Sequence, residues 1–478
     1  MDRIRAAYSM ESGPFFLIHS LFLLSYAFLP AAAPPPQPFT APPALLFPKE
    51  SLPTKSGYLP VHPTTGSAMF YAFYEAQQPT SRLSEVPILV WLQGGPGCSS
   101  MIGNFYELGP WRVTASSPPA GQSVEHLSLE PNPGSWNRLF GLLFLDNPIG
   151  VGFSIAATNQ DIPRDQHSVA EHLFTAITAF LKLDPELNSR PIYITGESYA
   201  GKYLPSMGYY ILKKNSRLPI SRRVNLAGVA IGNGLTDPVT QVATHAVNAY
   251  YSGLINEAQK GELEEAQSEA VRLTRMGNWS AATDARSRVL RLLQNMTGLA
   301  TLYDFSRKEP YRTEWVMKLL QSKEAKAAMR AKESIEFKEC SDEVGALMHA
   351  DVMKSVKPMV EFMLGSLGEG LRVLLYQGHL DLRDGVVSTE AWVRTIDWDG
   401  IESFLTSGRK VWRVKGELAG FVQKWGSLSH VVVLGAGHLV PTDQPINSQA
   451  MIEDWVLEKG LFGEGQAESF GVQDQPEL

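Results

Sequence analysis

The chain has 478 residues, 44% hydrophobic and 19% charged, with a formal net charge of -7. That length suits an α/β enzyme with one sheet-centred core and a large insertion, and the apolar content excludes a disordered chain. With no basic field and no long Lys/Arg run, the composition excludes nucleic acid as an expected partner.

At the start, Arg3 and Arg5 precede an apolar stretch over residues 15–29, interrupted by His19 and followed by Pro30 and Ala31-Ala32-Ala33. This pattern predicts a secretory signal peptide over residues 1–33. The stretch is short of the roughly 20 apolar residues that span a bilayer, so no stable membrane anchor is expected after signal removal. Pro34-Pro35-Pro36 directly follows the small residues, which leaves the cleavage bond open between Ala27 and Thr40. A secreted or vacuolar location follows from this reading. A Pro-rich linker over residues 33–43 comes next.

Residues 69–75 are aromatic-rich and strand-like, and Pro87-Ile88-Leu89-Val90-Trp91-Leu92 is a short continuous apolar run. Such runs suit strands buried on both faces of a mainly parallel sheet. Residues 142–145, 191–195, 224–231, 371–376 and 430–434 repeat the pattern, each followed by Gly, Asn or Asp. Residues 168–181 place Ala170, Phe174, Ile177 and Leu181 on one helical face, which makes the alternation βαβ-like. Residues 241–339 are rich in Ala, Glu, Arg, Gln and Leu, lack strand runs and read as a helical insertion. The expected organisation is a doubly wound α/β core over residues 34–240 and 346–462, a helical cap over 241–345 and a mobile tail over 463–478. A helix over residues 448–458 closes the core. The insertion carries two N-glycosylation sequons, Asn278-Trp279-Ser280 and Asn295-Met296-Thr297. The two cysteines, Cys98 and Cys340, read equally as one long-range disulfide or as two separate buried thiols.

The strongest local signal is Gly196-Glu197-Ser198-Tyr199-Ala200-Gly201, between the strand at 191–195 and a helix-like stretch at 202–212. A nucleophile elbow needs small residues here, because its Ser sits on a strained strand-to-helix bend. Ala200 stands where the commonest pattern has its second glycine. Ser is a weak nucleophile unless a base takes its proton, and the α/β-hydrolase chain order is Ser, acid, His. His438, in Gly435-Ala436-Gly437-His438 after an apolar run, fits the base. Asp381, in Gln377-Gly378-His379-Leu380-Asp381, fits the acid, with Asp384 as runner-up.

Trp91-Leu92-Gln93-Gly94-Gly95-Pro96-Gly97-Cys98-Ser99-Ser100 is the second strong signal. A Gly-Gly turn after a strand lets backbone N–H groups approach a substrate, as an oxyanion hole demands. The alternative, a phosphate-binding loop, lacks the Lys that should follow the glycines. No His/Cys/carboxylate cluster has metal-ligand spacing, so neither a metal nor another cofactor is expected.

Four motifs together, residues 93–100, Ser135-Trp136-Asn137 with residues 146–154, residues 196–203 and residues 435–441, strongly resemble the serine carboxypeptidases. The resemblance spans about residues 46–462 and implies an α/β-hydrolase fold with a helical cap. It implies a Ser198–Asp381–His438 triad and an oxyanion hole from the Gly95 and Tyr199 amides. It further implies that Gln93, Glu107 and Glu197 bind the substrate's C-terminal carboxylate. The family has Asn where this chain has Gln93, which offers the same amide on a longer stem. His379 replaces the first Asp of a common Gly-Asp-x-Asp acid loop. Cys98 and Cys340 match a family disulfide that staples lid to core. The expected reaction is hydrolysis of peptide or protein C-termini through a Ser-linked acyl-enzyme, best at acidic pH. Two rivals are an acyltransferase using glucose esters, whose family members commonly carry Asp where this chain has Glu197, and a catalytically inactive binding protein.

Overall fold

The continuous apolar runs become the centre of a ten-stranded sheet. The computed structural model describes residues 47–62, 64–116, 126–366 and 371–463. The expected signal peptide, and the expected tail beyond Gly463, lie outside those residues. In chain order the strands are β1 (Lys55–Pro60), β2 (Ala68–Tyr74), β3 (Ile88–Leu92), β4 (Trp111–Ser116), β5 (His126–Pro131) and β6 (Gly141–Leu145). They continue with β7 (Ile192–Glu197), β8 (Leu226–Gly232), β9 (Arg372–Gly378), β10 (Lys410–Val414), β11 (Glu417–Trp425) and β12 (Leu428–Val433). The sheet order is β1-β2-β6-β3-β7-β8-β9-β12-β11-β10, with β4 and β5 paired apart as a hairpin. The stretch from β6 to β12 is parallel, and antiparallel strands extend both edges.

The central strands bury both faces, which is why they read as unbroken apolar runs rather than alternating ones. Along β3, Ile88, Val90 and Leu92 point into one hydrophobic cluster, whereas Leu89 and Trp91 point into the other. Helices α1 (Gln166–Leu181) and α2 (Ala200–Asn215) cover the first face with Val169, Leu173, Ile177, Leu204 and Ile211. The Asp165 side chain starts α1 by accepting from the Ser168 N–H at 2.9 Å. Its buried stripe runs through Val169, Leu173, Ala176 and Phe180, so Phe174 lies at the stripe's edge, half-buried. The helix Pro445–Val456 lays Ile452 and Trp455 on the opposite face.

Between β8 and β9 the described chain is helical. Helices α3 (Glu257–Arg275) and α4 (Trp279–Thr297) pack around Leu263, Ala270, Ala285, Val289 and Leu293, and this small core also takes in Leu382 from the loop after β9. A reciprocal Asn256–Gln259 capping box starts α3, and Gly298 ends α4 in the left-handed conformation at φ 64°. Asn278 and Asn295 are both exposed. No helix among the described residues is long and apolar enough to cross a membrane.

Candidate active site

The loops leaving β3, β7, β8, β9 and β12 meet at the carboxyl end of the parallel strands, where open α/β sheets form their binding crevice. Ser198 follows β7 directly and takes a positive φ of 61°. That conformation is costly for a residue with a Cβ and persists only where neighbours fix it. Here the Ser198 N–H donates to the Gly232 carbonyl, and the Ser198 carbonyl accepts from the Gly201 and Leu235 N–H groups, each at 2.9 Å. At Gly196 a Cβ would stand 2.2 Å from the Leu92 carbonyl oxygen, so that turn position admits only glycine. Ala200 already begins α2, which explains why the second glycine of the common pattern is dispensable.

The Gly-Gly loop leans on this turn. A Cβ at Gly94 would lie 2.6 Å from the Tyr199 nitrogen and 2.7 Å from the Ser198 Cβ. This close approach brings the backbone at Gly95 and Tyr199 together beside Ser198, and both residues border a cavity that Ser198 lines.

His438 sits on the loop after β12. Its N–H donates to the Tyr303 carbonyl at 2.7 Å, and its ring stacks on Tyr303 with centroids 4.4 Å apart and planes 16° apart. Its Nδ1 lies 2.7 Å from Asp381 Oδ2. Its Nε2 is buried without a partner. Ser198 and His438 line one cavity of about 240 Å3. Asp381 is held by the Asn233 Nδ2 at 2.7 Å and by the backbone N–H groups of Arg383 at 2.7 Å and Asp384 at 3.3 Å. Asp384 itself turns away and accepts from Arg286 Nη2 at 3.2 Å.

Gln93, Glu107 and Glu197 form one buried cluster. The Gln93 Nε2 donates to Glu197 Oε1 at 2.7 Å and to Glu107 Oε1 at 3.2 Å. Its Oε1 accepts from the Trp91 indole N–H at 2.9 Å, which fixes the amide's orientation. Glu107 ends a single π-turn, Gly103–Glu107, whose last carbonyl accepts from the Asn132 amide at 2.9 Å. Oε2 of each glutamate is buried without a donor. A proton shared between the carboxyls removes that deficit. Accordingly, burial pushes Glu107 up to about 7, although hydrogen bonds from Glu197 and Gln93 pull it back. Burial, then the Glu107 charge, pushes Glu197 well above the ordinary carboxylate range.

Cys98 and Cys340 form a disulfide with Cα atoms 4.0 Å apart, tying the Gly-Gly loop to the end of the helical insertion. Flanking backbone bonds, Ser99 N–H to the Glu339 carbonyl and Ser341 N–H to the Gly97 carbonyl, are both 2.8 Å. The alternative of two separate thiols is thereby excluded.

A family model described as serine carboxypeptidase matches residues 43–458. The chain belongs to the serine carboxypeptidase family. It is 60% identical to serine carboxypeptidase-like 50 of Arabidopsis thaliana, over 92% of this chain and 94% of that one. It is 33% identical to the venom serine carboxypeptidase of Apis mellifera, over 86% of each chain. Among solved structures it is similar to a prohormone-processing carboxypeptidase of Saccharomyces cerevisiae, with a TM-score of 0.75, 25% identity, and coverage of 85% of this chain and 92% of that one. Fold and family agree with an α/β-hydrolase core.

Several residues of this serine carboxypeptidase site escaped the sequence reading. Asn233 takes φ 41° and bridges the Asp381 carboxylate to the Gly378 N–H. Its signal was Gly232-Asn233-Gly234 after a strand, a place where Asn tolerates the left-handed conformation. Trp91, read only as core, orients Gln93. Tyr376 carries a buried hydroxyl without a partner, and its phenol is pushed up by burial and then by the charges of Glu197 and Glu107. Tyr303 came from the insertion, where no motif marked it.

Proposed function

We propose that this chain removes residues from the C-terminus of peptides through an acyl-enzyme on Ser198. One observation carries the reading: the Gln93 amide joins Glu107 and Glu197 beside the cavity that Ser198 and His438 share. A chain-end carboxylate needs donors, and a proton-sharing carboxyl pair with an oriented amide supplies them. Endopeptidases and simple esterases have no use for such a cluster.

In the proposed reaction the Ser198 Oγ attacks the scissile carbonyl carbon while His438 Nε2 takes its proton. Asp381 holds the ring through Nδ1 and stabilises the imidazolium. The Gly95 and Tyr199 amides receive the developing oxyanion. The C–N bond then breaks, and His438 returns the proton to the departing amine. Water repeats the sequence, with His438 as base, and releases the acyl group from Ser198. The fixed Nδ1 contact and the unpartnered Nε2 of His438 support these roles.

The site belongs to a chain that we place in the secretory pathway, secreted or vacuolar, with residues 1–33 as signal peptide. The disulfide, the exposed Asn278 and Asn295 of the two sequons and the N-terminal pattern support that placement. We read the helices between β8 and β9 as a cap over the core.

A panel of blocked dipeptides, run beside glucose esters with alcohol acceptors, tests the reading. Release of the C-terminal amino acid is expected, with a fluorophosphonate adduct on Ser198 that Ser198→Ala abolishes. Removing a triad member costs about 10⁴- to 10⁶-fold in rate. Acyl transfer from glucose esters without peptide hydrolysis would overturn it.

A further inference from the structure

A second cavity, about 190 Å3, also borders Ser198. Gly95 and Ser198 border both cavities. Glu197 and His438 border only the first, and Tyr199 only the second. If the departing C-terminal residue occupies the first, with the groups that read its carboxylate and protonate its amine, the residue on the acyl side must extend into the second. This step rests on the carboxypeptidase reading above.

The second cavity is unevenly charged. It is lined by Arg286, Arg383 and Asp384. Arg286 and Asp384 are both buried, 7% and 3% exposed, and answer each other at 3.2 Å. Arg383 is 31% exposed, and its Nε stands 3.8 Å from Asp384 Oδ2, beyond hydrogen-bond reach. That Nε has no hydrogen-bond partner. The guanidinium lies over the Tyr303 ring, 5.2 Å from its centroid, and the ring in turn stacks on His438. Arg286 and Arg383 therefore share the single carboxylate of Asp384, and the histidine of the wall, His349, faces Asp284 at 3.0 Å, which leaves the Arg383 guanidinium only partly answered at the cavity wall. Its planar fork suits a carboxylate. Leu235 and Val352 also line the cavity and offer an apolar wall for a methylene stem.

We propose that this cavity selects an acidic side chain, Glu or Asp, at the penultimate position of the peptide, with Arg383 as the specificity-determining residue and the Arg286–Asp384 pair holding its position.

The test uses the full-length protein and three blocked dipeptides that differ only at the penultimate residue, Glu-Leu, Gln-Leu and Lys-Leu, assayed near pH 6. Wild type should favour Glu over Gln in kcat/KM by roughly 10- to 100-fold, the range for a hydrogen bond to a charged group, and should favour Gln over Lys. Arg383→Met should bring the Glu/Gln ratio toward one, and Arg383→Glu should reverse the Lys/Gln ratio. Equal wild-type rates on Glu and Gln would overturn the proposal without any variant, as would a Glu preference that survives Arg383→Met. Loss of the carboxypeptidase reading looks different: none of the three peptides releases leucine although Ser198 is labelled, and that result overturns both.

Discussion

The Nδ1 of His438 lies 2.7 Å from Asp381 Oδ2, while Asp384, three residues further along, pairs with Arg286 instead. The two aspartates on one loop therefore do different work. Asp381→Asn should lower kcat by about 10⁴-fold, because the ring loses its orienting acceptor and its tautomer. Asp384→Asn should act mainly on stability, since it leaves the buried Arg286 charge without its partner. Measuring kcat and Tm for both variants checks this. The opposite assignment of effects would transfer the acid role to Asp384.

Asn233 is predicted to position Asp381 without touching substrate. Asn233→Gly keeps the left-handed backbone accessible and deletes only the side chain. It should reduce kcat with little change in KM, whereas a merely structural role would lower Tm and leave kcat per folded molecule intact.

The disulfide closes a loop of 242 residues. In the chain-entropy model such a loop contributes on the order of 4 to 5 kcal/mol, with measured values commonly lower. Peptide mapping without reductant should recover Cys98 linked to Cys340. A Cys98→Ser, Cys340→Ser variant should melt at a lower temperature and lose activity, because the staple adjoins the Gly-Gly loop.

Gln93→Leu removes the one amide that spans both glutamates and strands the Trp91 indole N–H. KM for free-acid peptides should rise at least tenfold, in line with a charge-assisted hydrogen bond, with a smaller effect on kcat. An unchanged KM would show that Gln93 does not read the carboxylate.

The central sheet was legible because burial on both faces writes itself as continuous apolar runs, and the runs at β2, β3, β6, β7, β8, β9 and β12 all became strands. The strands that were missed are marginal ones. Lys55–Pro60, the hairpin Trp111–Ser116 with His126–Pro131, Lys410–Val414 and Glu417–Trp425 leave many of their side chains partly or fully exposed, so no apolar run marks them. Ser198, His438 and Asp381 were visible because each follows a strand in a small-residue loop. Asn233, Trp91 and Tyr376 were not, since their parts depend on side chains brought in from separate strands. Arg383 lay two residues from the expected acid, yet only the packing of the insertion reveals the cavity it faces.

The central claim, that Glu107 and Glu197 read a chain-end carboxylate, is tested most directly by the ratio of kcat/KM for a free-acid peptide to that of its C-terminal amide, measured across pH. Both carboxyls are held above the ordinary range, Glu107 at about 7, so the donor proton on Glu107 is present in acid and lost as pH rises through that region. Recognition of a carboxylate needs that proton, whereas recognition of an amide does not. The ratio should therefore be highest in mild acid and fall as pH rises through about 7. In Glu197→Gln, which supplies a permanent donor, the ratio should stay nearly level over the same range. Parallel profiles for acid and amide in both proteins would contradict the account and leave the cluster without a role in recognising the end of the chain.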